Sequence, residues 1–143
     1  HRNLIDKQEI ALQVTSIPLS MEKVGAYINL GIVNAGVSPQ TLQKGIDQEI
    51  EKIKDTLVGK HEFQKVMNQI ETDYIGKVET QLGIAEQLAN YEVYFGNANL
   101  INTELKRYKK VTPKDVKRVA NKYLNNDNRI ILYYLPQPKT QNK

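Results

Sequence analysis

The chain has 143 residues and no cysteine, with 20 Lys and Arg against 16 Asp and Glu for a net charge of +4. Without cysteine there is no disulfide scaffold, no thiol nucleophile and no thiolate-bound zinc, and no apolar run reaches the roughly 18 residues of a membrane span. At 40% hydrophobic and 25% charged, the composition is that of one globular domain or a large piece of one, not of a fibrous or disordered chain.

The charge is uneven: residues 1–103 hold 9 basic and 13 acidic side chains (net −4), whereas residues 104–143 hold 11 and 3 (net +8). The opening, His1-Arg2 leading straight into a helix-like segment, reads as a cut through a longer protein. A signal segment upstream of such a cut would place that protein in the periplasm or cell envelope. Residues 3–9 read as the tail of a helix. Residues 10–17 alternate, with Leu12, Val14 and Ser16 on one face, and predict a half-buried strand that ends at Pro18. Residues 24–33 predict a second strand with Ala26, Ile28, Leu30 and Ile32 on one face, joined to the first by a connection of hairpin length.

Ser38-Pro39 is a helix start, a capping hydroxyl followed by a proline whose missing N–H is harmless at the first helical position. Leu42, Ile46, Ile50, Ile53 and Leu57 continue it at helical spacing over 39–58. A second long helix is predicted over 61–80, with Phe63, Val66, Met67, Ile70, Tyr74 and Val78 as its stripe. Residues 81–95 continue as helix until Gly96-Asn97, and Leu100, Ile101, Leu105 and Tyr108 mark a short helix. Thr112-Pro113-Lys114-Asp115 starts another, with Thr as cap and Asp beside the positive dipole end. Asn125 to Asn128 form a turn cluster, and residues 129–135 predict a closing strand halted by Pro136. The order predicts an α+β fold, helices packed on one face of a mostly antiparallel sheet, as a partial domain over 1–136 with a polar disordered tail at 137–143.

Local chemistry is sparse. His61 opens His61-Glu62-Phe63-Gln64-Lys65, which has Lys65 where a His-Glu-x-x-His motif needs its second histidine, and the inverted motif His-x-x-Glu-His does not occur. Ser16, Ser20 and Ser38 are the serines; none sits in a Gly-x-Ser-x-Gly elbow. The expectation is therefore no catalytic, cofactor-binding or metal-ligating residue in this chain. The basic end, with Lys106, Arg107, Lys109, Lys110, Lys114, Lys117, Arg118 and Lys122 around Tyr108 and Tyr123, could attract an anionic partner. It carries no base-reading motif, so nucleic acid is the weakest of the partner readings.

The segment from Tyr108 to Leu124 (Tyr-Lys-Lys-Val-Thr-Pro-Lys-Asp-Val-Lys-Arg-Val-Ala-Asn-Lys-Tyr-Leu), followed by Asn128 to Pro136, resembles the closing part of a pitrilysin/insulinase-type zinc metallopeptidase domain of the kind found in mitochondrial processing peptidases. Leu4 to Leu12 resembles that family's step from helix into strand, and the two long helices match its order. The resemblance implies two homologous α+β halves closing around a peptide. The amino-terminal half holds zinc through His-x-x-Glu-His and a distal Glu, and its motif Glu activates the zinc-bound water. The carboxy-terminal half is zinc-free and often contributes an Arg and a Tyr seven positions apart. Those positions fall on Ile5 and Leu12 here, and neither can donate a hydrogen bond to an oxyanion. The resemblance thus implies a non-catalytic portion that helps bind peptide substrate and close the chamber, or a structural subunit of the same fold. It implies zinc only in another half, and a homologous half-domain or self-association as partner.

Overall fold

The computed structural model describes residues 3–21 and 23–135; the tail expected at 137–143 lies outside them. A π-helical turn, Asn3–Lys7, leads into two strands, β1 (Ala11–Ser20) and β2 (Gly25–Val33). Five α-helices follow: α1 (Pro39–Asp55), α2 (Lys60–Lys77), α3 (Gln81–Phe95), α4 (Leu100–Tyr108) and α5 (Pro113–Tyr123), with a 3-10 turn at Asn126–Asn128. The architecture is α+β, and its sheet is a two-stranded antiparallel ribbon that pairs from Ala11 opposite Val33 to Ser20 opposite Gly25.

The helix starts behave as their residues dictate. Ser38 and Thr80 accept from the main-chain N–H groups of Thr41 and Gly83. At α5 the hydrogen bonds are reciprocal: Asp115 N–H donates to Thr112 Oγ1 at 3.3 Å, while Thr112 Oγ1 and N donate to Asp115 Oδ2 at 2.6 and 3.1 Å. The Thr112 hydroxyl, then its N–H and Arg118, hold the Asp115 carboxyl below its usual range. The capping contribution is thus complete above the ordinary carboxylate value near pH ~4 and is lost as pH falls through the lower folded value. An NMR titration should find the Asp115 midpoint below that of a model peptide. In Thr112→Ala the midpoint should return towards it and the helix should lose about 1 kcal/mol.

Pro18 does not end the first strand; it pairs with Tyr27 and β1 runs on to Ser20. A proline is tolerated there because β1 is an edge strand, where a missing N–H need not interrupt a ladder. The register slips between Ala11 and Gln13. That bulge breaks the alternation expected of Leu12 and Val14: Val14 packs on the core while Leu12 is exposed.

The core sits where the first turn, the ribbon and α1 meet. Leu4, Ala11 and Leu42 are buried, with Ile5, Ile10, Val14, Val33 and Ile46 packed around them. Two glycines permit this approach. A Cβ on Gly31 would lie 2.8 Å from Leu42 Cδ2, and one on Gly45 would lie 2.6 Å from Ile10 Cδ1. Glu9 takes a left-handed φ of 53° at the junction of turn and strand, and Asn34 Nδ2 donates to its carbonyl at 2.9 Å. Asn3 Nδ2 donates to Glu49 on α1. The Lys52 hydrogen bond, more than that of Asn3, holds the Glu49 carboxyl below its usual range.

α5 packs on α1, where Lys117 Nζ and Asn121 Nδ2 donate to the Asp55 and Lys54 carbonyls and so close the carboxyl end of that helix. α2 packs against α3 and α4. Tyr91 is buried between them, its ring 6.2 Å from that of Phe95. Burial, more than its neighbour Tyr74, pushes the Tyr91 hydroxyl well above its usual range, so it stays protonated as part of the packing.

The closing strand expected at 129–135 does not join the sheet. Those residues take no regular secondary structure and lie along α1. The alternating pattern gave them the faces of a strand, but a strand also needs a partner edge, and among the described residues the sheet is made by β1 and β2 alone.

Candidate functional site

Ile5 packs half-buried on the core and Leu12 is exposed at the bulge. Neither has a polar side-chain atom, so the structure brings no donor to the two positions where the family resemblance puts Arg and Tyr. His61 is exposed near the start of α2, beside Gln64, Lys65 and Asn68 of the same helix face. Among the described residues no three His, Cys, Asp or Glu side chains come together as a metal site would need. Ser16 Oγ donates to Asn29 Oδ1 across the ribbon, and Ser38 caps α1; neither meets a histidine. No described helix is long and apolar enough to cross a membrane.

The basic end is broken up by carboxylates and carbonyls. Lys109 pairs with Glu71, Arg107 with Glu104, and Arg118 with Asp115, while Lys117 is spent on α1. Exposed pairs of this kind contribute little stability, but they dilute the positive field a polyanion would seek.

The surface that stands out is apolar. Because Gly31 faces Leu42 and Ile46 on α1, its neighbours Ile28, Leu30 and Ile32 point away from the helix. Ile17 and Leu19 of β1 share that outer face through their pairing with Ile28 and Ala26. These five side chains are 37–55% exposed. No Asp, Glu, Lys or Arg occurs in residues 10–20 or 24–33. The periodicity of β2 was legible in the sequence; that its stripe would turn away from the helices was not, since a two-faced strand carries no label for which face the helix takes. A contiguous uncharged apolar face of this kind marks a site that something else covers.

Comparisons with known proteins find relatives in sequence and in fold. The zinc protease PqqE of Helicobacter pylori is 24% identical over 133 residues, which cover 93% of this chain and 30% of that protein. The fold decides more. A candidate zinc protease from Bordetella pertussis Tohama I superposes with a TM-score of 0.79 at 16% identity, covering 94% of this chain and 73% of its own.

The chain has the fold of a zinc-protease domain. The inactive peptidase domain of a candidate zinc protease from Bordetella parapertussis superposes with a TM-score of 0.75 at 16% identity, over 93% of this chain and 73% of that one. A protease from Helicobacter pylori does so with 0.78 at 22% identity, over 87% of this chain and 30% of that one. No family model matches. The chain spans 30% of the length of the curated relative it matches. The likeness to zinc peptidases expected from the sequence is thus found in a sequence match and in the fold.

Proposed function

We propose that the chain is a zinc-free, carboxy-terminal portion of a pitrilysin/insulinase-type metallopeptidase protein. It helps to hold peptide substrate and close the chamber while another domain or chain hydrolyses the bond. The observation that carries this reading is the uncharged face formed by Ile17, Leu19, Ile28, Leu30 and Ile32 on a peptidase fold. An extended peptide offers apolar side chains to such a face without requiring a charge partner. Ile5 packs on the core and Leu12 is exposed; neither offers a polar group to a transition state, so the chain supplies no catalytic residue.

Two measurements test it. Fluorescence polarisation with a labelled, unstructured apolar peptide should detect binding that Leu30→Glu weakens by about tenfold or more, since a carboxylate would have to be desolvated on the peptide's side. Binding that is absent, or indifferent to this substitution, overturns the peptide role. Zinc added and then dialysed away should leave far less than one ion per chain, with no chelator-sensitive peptidase activity. The same face also favours a second reading, a structural subunit whose apolar surface serves assembly. A protein bearing this chain but no His-x-x-Glu-His anywhere would select that reading.

A further inference from the structure

We draw no further inference here: the strongest candidate, the surface segment 129–135 that lies along α1 with Ile130, Leu132 and Tyr134 exposed, carries none, because the chain spans only part of the domains it matches and nothing in the structure shows what covers this segment.

Discussion

Leu42→Ala should lower the unfolding free energy by about 3 kcal/mol. Leu42 is 3% exposed and sits at the point where α1 meets the first turn and the ribbon. Two terms add. The lost methyls no longer leave water on folding, which accounts for roughly 2 kcal/mol. The remainder comes from the hole they leave, and how much depends on whether the neighbours can collapse into it. They are poorly placed to do so. Gly31 opposite has no side chain to swing in, and Leu4 and Ala11 are already fully packed. This small cluster carries much of the stability of the ribbon, whose other face is open to water. Urea unfolding followed by circular dichroism at one fixed concentration checks the value. The fixed concentration matters because self-association would add its own stability. A loss under about 1 kcal/mol would place the folding energy elsewhere.

Gly83→Ala should cost about 2 kcal/mol or more, although the residue lies in a helix, where alanine normally gains about 0.5–1 kcal/mol over glycine. The sign is decided by what a new methyl would meet. At Gly83 it would lie 1.9 Å from the carbonyl oxygen of Lys77, the last residue of α2. That atom is main chain and cannot rotate away, unlike the side-chain tips that face Gly45. The N-cap contact from Thr80 to Gly83 N–H, 3.0 Å long, holds the junction in place. Gly76 in α2 is the matched contrast. Nothing lies within 4 Å of its missing Cβ, so Gly76→Ala should stabilise by the ordinary amount. Thermal or urea midpoints of the pair should move in opposite directions; if both rise, the turn between α2 and α3 is wider than its hydrogen bonds require.

Residue chemistry made the helical half of the fold legible. Ser38-Pro39, Thr112-Pro113 with Asp115, and Gly96 are local devices: each hydrogen bond spans a few residues, so the sequence contains both partners. The ends of long helices were less clear. The first stops at Asp55 and not at the expected 58, because Thr56 turns extended and caps it through the Lys52 carbonyl. The site was harder still. The absence of a local metal motif could be read from residue types, as could the apolar residues at the Ile5 and Leu12 positions. The bulge at Leu12 could not be read, since it changes pairing and not composition.

Periodicity by itself determined that residues 10–17, 24–33 and 129–135 could each lie half-buried in a sheet, and charge by itself determined that the hairpin would be neutral. Only the tertiary structure decided which faces were covered. α1 chose the side of Gly31 because a missing side chain lets a helix approach, and so left Ile28, Leu30 and Ile32 to water. It likewise tied Arg129 and Tyr133 down and left Ile130, Leu132 and Tyr134 outside. A strand pattern states that two faces differ; which one meets a neighbour depends on contacts between residues far apart in the chain, and those are settled only by packing.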